Sequence, residues 1–442
     1  MNIFVIGSGG REHAICAAFA RSVRVTKIFC APGNAGIDEI AECVKIKPEQ
    51  IPELARFARE NSVDLTFVGG ESPLALGIVD EFERYGLRIV GASKQAAELE
   101  ASKSFAKDFM KRHGIPTARH STADSVKEAI AILESGEFGD ETKPVVVKAD
   151  GLAAGKGVVV AKDRRDAISA IQDMQSLVGA DAAASIVLEE CLFGREVSLL
   201  MFADGKSFAL MPPARDHKRI GDGDTGPNTG GMGTITDSAL LTAEQSDDIV
   251  KLIVEPTLSG CAAEGFPFRG ILFLGLMMTE SGPMLLEYNV RFGDPETQSI
   301  LVQLETDLLD ICEAMLAGTL DERVIDWKDG SSATIVLASK GYPENPQKGD
   351  VIYGIDDLSK NKISIFHAGT AFSEPTALAG GLTRNSKTQD DERNPSRFIT
   401  SGGRVLGVTA TADTLERALA KAYSAVGSIS FDGMQYRRDI GK

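Results

Sequence analysis

The architecture of this chain is announced by Lys148-Ala149-Asp150-Gly151-Leu152-Ala153-Ala154-Gly155-Lys156-Gly157. Val145-Val146-Val147 precedes it and Val158-Val159-Val160 follows, two runs of strand length built from β-branched residues. One lysine therefore ends a strand, and a second, flanked by glycines, opens the next. Such a hairpin makes a flexible, donor-rich flap suited to covering a nucleotide triphosphate. It is not a P-loop: the glycine spacing is one residue short, and Gly157 takes the place where a Ser or Thr hydroxyl would bind magnesium. A plain glycine-rich hairpin with two solvated lysines is the rival interpretation.

Upstream of the flap, short apolar runs alternate with helical patterns. Ile3–Ile6, Lys27–Cys30, Leu65–Val68 and Arg88–Val90 are the expected strands, with helices at Glu12–Arg21 and Pro52–Glu60 between them. That alternation predicts a doubly wound parallel sheet. A further helix is expected at Ser102–His113, closed by Gly114 and Pro116. Gly7-Ser8-Gly9-Gly10 follows the first strand and opens a helix, where glycines let a backbone approach a phosphate. Glu12 stands where the dinucleotide fingerprint wants a third glycine, and no acid follows the second strand, so an NAD site is disfavoured.

Downstream, the lid unit is expected to continue through a helix near 165–178 and a strand at Ser185–Leu188. Leu188-Glu189-Glu190-Cys191-Leu192 then offers carboxylates and backbone groups that can read an adenine edge. Asp216-His217-Lys218-Arg219 and Gly226-Pro227-Asn228-Thr229-Gly230-Gly231-Met232-Gly233 supply positive charge and free backbone donors. The whole of Asp216–Gly233 is read as one long functional loop. In Glu287-Tyr288-Asn289, strand alternation puts the carboxylate and the amide on one face and Tyr288 on the other. Hard oxygen donors side by side suit Mg²⁺ shared with substrate phosphates. Arg291 follows two residues later and falls on the same face. The last part of the chain shows β-like runs at Ala333–Ala338, Ile363–His367 and Gly403–Ala410 and a helix at Thr414–Val426. Pro375–Arg397 is polar and is expected to be a mobile surface loop.

Composition narrows the function. The 442 residues are too many for one core, and 43% hydrophobic with 25% charged is ordinary for a globular enzyme. A net charge of −16 works against nucleic-acid binding, which needs cations to neutralise phosphates. The six cysteines form no C-x-x-C pair, so a reducing compartment and buried, unreactive thiols are expected. No secretory leader or membrane-length apolar run stands out, and a cytoplasmic monomer acting on small molecules is expected. The histidines show no metal-ligand spacing.

In this order the motifs resemble the ATP-grasp family of glycinamide ribonucleotide synthetases, the phosphoribosylamine–glycine ligases. The resemblance rests on Gly7–Ala14, Ala31–Gly36, Lys148–Gly157, Asp216–Arg219, Gly226–Gly233, Arg291–Gln298, His367–Thr370 and Arg438–Gly441, and spans nearly the whole chain. It implies an α/β multidomain ATP-grasp enzyme: an N-terminal Rossmann-like domain over 1–117, a lid over 118–188, a central domain over 189–327 and a small C-terminal α/β domain over 328–442. It implies that Lys103, Lys148, Lys156 and Gly157 contact ATP phosphates, Glu189, Glu190 and Leu192 the adenine, and Glu196 the ribose. Glu287 and Asn289 would hold Mg²⁺ or Mn²⁺. Gly9, Gly10, Arg11, Glu12 and Glu71, with His217, Lys218, Arg219 and Pro227–Gly230 (Pro227, Asn228, Thr229, Gly230), would hold the phosphoribosyl substrate and glycine. Asp216, Lys218 and Arg291 would serve the chemistry. Gly70 and Cys191 depart from the family pattern, neither removing a charge. Another ATP-grasp ligase or carboxylase would share the lysines and the metal pair, and a non-catalytic ATP-binding module would need neither substrate loop.

Overall fold

The computed structural model describes residues 1–152, 157–179, 184–355, 363–373 and 395–442. The N-terminal sheet is five-stranded and wholly parallel. Its centre is Asn2–Gly7, with Lys27–Pro32 and Glu42–Cys43 on one side and Leu65–Val68 and Ile89–Val90 on the other. Ile3 and Val5 pack with Ile15 and Phe19 of the helix Gly10–Ala20, while Phe4 and Ile6 pack with Leu54 and Phe82 from the opposite layer. Both faces are covered, which is why the strand reads as a continuous apolar run rather than an alternating one. The helix Lys103–Arg112 follows as expected, capped by Ser102.

The lid is a four-stranded antiparallel sheet in the order His120–Ala123, Ile186–Glu190, Val145–Ala149, Val158–Ala161. The helices Val126–Glu134 and Arg164–Val178 cover one face. His120–Ala123 and Val126–Glu134 gave no clear signal in the sequence, because the first is short, polar and half-buried. The flap residues 153–156, and Lys156 with them, lie outside the described residues.

The central sheet begins with the long antiparallel hairpin Arg269–Thr279 and Gly282–Asn289, and Arg195–Asp204 pairs against the first of these. It continues through Ala214–Asp216 and Gly233–Thr236 to Ser331–Ala338, Arg404–Ala412 and Ser364–His367. The strands after residue 328 thus extend the same hydrogen-bonded sheet, backed there by the helix Leu415–Val426. A long-range pairing of this kind leaves no local trace in sequence.

One expectation is corrected. The stretch 216–233 is not a single loop: it contains the two-stranded hairpin Arg219–Gly221 with Thr225–Asn228. Most of its residues are exposed or half-buried, so neither face imposes apolar alternation on the sequence. The expected surface insert at 375–397 lies outside the described residues save its last three, which open the strand Pro395–Thr400.

Candidate active site

The lid meets the central sheet at a buried charge cluster. Lys148 Nζ lies 2.8 Å from Glu189 Oε1, and Lys107 Nζ lies 3.1 Å from Glu189 Oε2, all three side chains being almost fully buried. Lys148 also donates to the Leu286 carbonyl at 3.2 Å. Lys107 donates to Thr117 Oγ1 at 2.7 Å, and that hydroxyl donates to the Leu285 carbonyl at 2.6 Å. Burial pushes the Lys107 ammonium down to about 8 against the pull of Glu189. Burial also works against ionisation of Glu189, but Lys148 and Lys107 together hold it below its ordinary value. Both oxygens of Glu189 lie beside lysines, which ties this carboxylate to Lys148 and Lys107. Removing it would strand two buried cations, a loss of about 3–5 kcal/mol.

Beside this cluster Lys103 Nζ donates to the Gly151 carbonyl at 3.1 Å, touching the flap at its start. Asp150 is held by Ser104, through its backbone N–H at 2.7 Å and its hydroxyl at 2.5 Å. Glu190 lies at the rim, accepting from the Arg119 N–H at 2.8 Å.

Glu196, Ser198, Asp216, Lys218, Gly275 and Glu287 line one small cleft on the central sheet. Lys218 Nζ is 3.5 Å from Glu196 and 3.9 Å from Glu287. Burial opposes ionisation of Glu287, yet Lys218, Lys148, Lys103 and Arg291 hold its carboxyl below the usual range. Asp216 behaves oppositely: burial, with Glu196 and Glu287 beside it, raises its proton affinity despite Lys218. Glu296, missed in the sequence reading, is almost fully buried at the end of a hydrogen bond from Ser198 at 3.3 Å. Burial and the neighbouring Asp216 push it up to about 7.

Tyr288 turns into the core and meets the Thr257 hydroxyl at 2.7 Å, leaving Glu287 and Asn289 on the other face. Among the described residues no group of three or more His, Cys, Asp or Glu is arranged to hold a metal. One carboxylate and one amide oxygen are instead the donor set of a cation that takes its remaining ligands from water and phosphates. These residues fit such a metal.

Arg291 is engaged on every side. Its guanidinium reaches Glu71 at 3.2 Å, Glu100 at 2.8 Å, Asn289 Oδ1 at 3.1 Å and the Phe292 carbonyl at 3.3 Å. Arg11 stands 4.0 Å from the same Glu71 oxygen and donates to Phe292 O at 3.1 Å. Burial alone would raise Glu71, but Arg291 and Arg11 hold it at about 2. Its folded value lies below the ordinary 4.5, so it contributes stability above pH 4.5 that is lost as pH falls through about 2. The full contribution is up to about 3 kcal/mol, with roughly half gone by pH 3. Urea unfolding of the parent and Glu71→Gln across pH 7 to 3 checks this: the variant should show the shallower loss, and parallel curves would refute it.

Glu12 corrects the expected phosphate cradle. Its Oε2 accepts the Gly9 N–H at 2.6 Å, while Oε1 pairs with Arg11 at 2.6 Å. A Cβ at Gly7 or Gly69 would lie within 2.5 Å of Glu12 atoms. The glycines make room for this carboxylate, which already neutralises the helix N-terminus, so a phosphate there would meet a like charge. His217 is also corrected. It lies between strands, outside the lining of the cleft that Asp216 and Lys218 share, buried, with Nε2 accepting the Gly441 N–H at 3.1 Å. Arg219 folds back onto the Gly226 carbonyl at 2.7 Å. Arg404, for which no local signal exists, donates to the Gly230 carbonyl and to the Asp294 carboxylate, the latter at 2.9 Å, and Tyr342 accepts the Gly230 N–H at 3.0 Å.

A glycine-rich antiparallel lid that delivers a lysine beside a carboxylate–amide pair on a neighbouring antiparallel sheet defines an ATP-grasp enzyme. The biotin carboxylase domain of the Hydrogenobacter thermophilus 2-oxoglutarate carboxylase, solved with MgADP, shares the fold at a TM-score of 0.69 and 17% identity, over 98% of this chain and 91% of that one. The phosphoribosylglycinamide synthetase family matches as three consecutive parts: its N domain over residues 1–100, its ATP-grasp (A) domain over 101–297 and its C domain over 332–442. The chain belongs to that family. A phosphoribosylamine–glycine ligase of Caldanaerobacter subterraneus subsp. tengcongensis is 42% identical over 441 residues, 100% of this chain and 99% of that protein. The crystal structure of phosphoribosylamine–glycine ligase from Thermotoga maritima superposes with a TM-score of 0.82 at 33% identity, covering 100% of both chains.

Proposed function

We propose that this ATP-dependent ligase joins glycine to 5-phosphoribosylamine, giving glycinamide ribonucleotide, ADP and phosphate in purine biosynthesis, through a glycyl phosphate. The observation that carries the reading is the convergence of Lys103, Lys148, Lys218 and Arg291 around Glu287 and Asn289. Glu287 and Asn289 would hold a divalent cation, Mg²⁺ or Mn²⁺, which when bound neutralises charge on the ATP phosphates. Lys103 and Lys148 neutralise the phosphates from the lid side, and Glu196 lies where it can meet the ribose. A carboxylate oxygen of glycine attacks the γ-phosphorus, the bond to ADP breaks, and glycyl phosphate forms. The phosphoribosylamine nitrogen then attacks the acyl carbon, phosphate departs, and Asp216 takes the proton that the amine sheds. Phosphoryl transfer of this kind needs alignment and positive charge more than a strong base. Arg11, Glu71 and the segment Pro227–Gly230 hold the phosphoribosyl substrate, and the closed lid keeps water from the acyl phosphate. No helix among the described residues is long and apolar enough to cross a membrane, and the enzyme is proposed to act in the cytoplasm on these small molecules, as a monomer.

Sustained, multiple-turnover release of ADP should require glycine and phosphoribosylamine together. Release driven by bicarbonate would make the chain a carboxylase, and nucleotide binding without release under any condition would leave a binding module.

A further inference from the structure

The motif Arg438–Gly441 has no part in the reaction above, yet the segment around it is tied to the substrate hairpin along its length. Arg437 is 2% exposed despite its charge. Its guanidinium donates to the Asp224 carboxylate at 2.6 Å and the Arg219 carbonyl at 3.3 Å, and pairs with Asp439 through two bonds of 2.8 Å. Asp439 in turn accepts the Gly223 N–H at 2.7 Å, and the Arg438 N–H donates to Asp222 at 2.8 Å. Gly441 reaches His217, and Arg215 donates to the Lys442 carbonyl at 2.9 Å. The segment is itself anchored. The Ile440 N–H donates to the Tyr423 hydroxyl at 3.0 Å, and that hydroxyl donates to the Arg437 carbonyl at 3.0 Å. The Ile440 side chain, 1% exposed, packs over Gly233.

The hairpin cannot fix its own orientation. It has two short strands with a register irregularity, and an isolated pair of strands is marginal in water. Asp224 at its turn holds a left-handed φ of 54°, which a residue other than glycine adopts at a cost. Its carboxylate reaches out of that turn to a guanidinium rooted in the body of the protein. The tie reaches the hairpin tip at 222–224 and, through Arg215, His217 and Arg219, the residues that bracket Asp216 and Lys218.

We infer that the segment Arg437–Lys442 is a positioning device for the active site, with Arg437 and Asp439 as positioning residues that hold the hairpin, and with it Lys218 at its base, against the cleft that the sheet-held Asp216 lines. This rests on the proposed roles of Asp216 and Lys218. Loss of the clamp lets the hairpin swing, and misplacement by about an ångström costs on the order of 10²-fold in rate. Among the described residues, Lys103 and Lys148, proposed to meet the ATP phosphates, make no hydrogen bond to the clamp, so nucleotide affinity should change far less than turnover.

Arg437→Met and Asp224→Gly test the inference together. The second removes an exposed carboxylate and relieves the left-handed strain, so it does not endanger folding if the buried arginine variant does. Both should keep affinity for a non-hydrolysable ATP analogue within about twofold. The value of kcat/KM for phosphoribosylamine should fall roughly 10- to 100-fold, more for Arg437→Met. Hydrogen exchange at 219–228 should quicken while exchange in Leu65–Val68 stays as in the parent. Parent-like kcat/KM or unchanged hairpin exchange in folded Asp224→Gly overturns the clamp. Asp216→Asn and Lys218→Met are run alongside. If they lose turnover while the clamp variants do not, only the clamp fails. Parent-like turnover in that pair removes the reading on which the clamp rests, and the inference with it.

Discussion

Glu287→Gln is expected to lower kcat by about 10³-fold, equivalent to about 4 kcal/mol of transition-state stabilisation, with the fold and nucleotide affinity surviving. The carboxylate stands among Lys218, Lys148, Lys103 and Arg291. Glutamine keeps the shape and an amide oxygen but deletes the one negative charge that this face offers a hard cation. Those four cations remain, so an ATP analogue should bind the variant at least as well in the absence of metal. Turnover, which needs the phosphates neutralised and aligned at once, should not recover at high metal concentration. Metal titrations of ADP release in parent and variant decide it, and parent-like kcat at saturating Mg²⁺ would show that Glu287 is no metal ligand.

For Arg291→Lys the expected loss is about 10²-fold in kcat/KM for glycine, near 3 kcal/mol, with nucleotide affinity nearly unchanged. The guanidinium serves two carboxylates, an amide oxygen and a backbone carbonyl from one plane. A lysine offers donors from a single point and cannot span Glu71, Glu100 and Asn289 together. Glu100 is almost fully buried, so an unmet partner there also costs about 1–3 kcal/mol of stability. Glycine titrations at fixed ATP and phosphoribosylamine measure the first effect and urea unfolding the second. Parent-like kcat/KM with lowered stability would reduce Arg291 to a strut between two acids.

Local patterns carried much of the architecture. The parallel sheet was legible because strands buried on both faces must be apolar throughout, as Phe4-Val5-Ile6 is. The face shared by Glu287 and Asn289 followed from a two-residue period and a single aromatic between them. What stayed hidden was whatever depends on partners far along the chain. The pairing of Glu189 with Lys107 and Lys148 leaves no trace in its neighbours, although Lys107 lies one helical turn from Lys103 and that spacing was a usable clue. Gly7 and Gly9 look like a phosphate cradle until Glu12 is found inside it. His217 is placed at the site by its neighbours in sequence, while the fold ties it to Gly441 at the far end of the chain. Arg404 and Glu100 sit amid residues that announce nothing.

The sheet that runs unbroken from Gly282–Asn289 to Ser364–His367 bears on how this enzyme can be taken apart. Every residue of Ser331–Ala338 is buried, and one of its edges is paired with Gly233–Thr236. A fragment beginning near residue 328 would carry that edge bare, eight residues long and ready to pair with another copy of itself. Sequence modules and folding units therefore divide this chain differently: the regions matching the family's A and C domains are here welded through backbone hydrogen bonds. Chimeras that exchange the last hundred or so residues between relatives must match the partner strand as well as the junction.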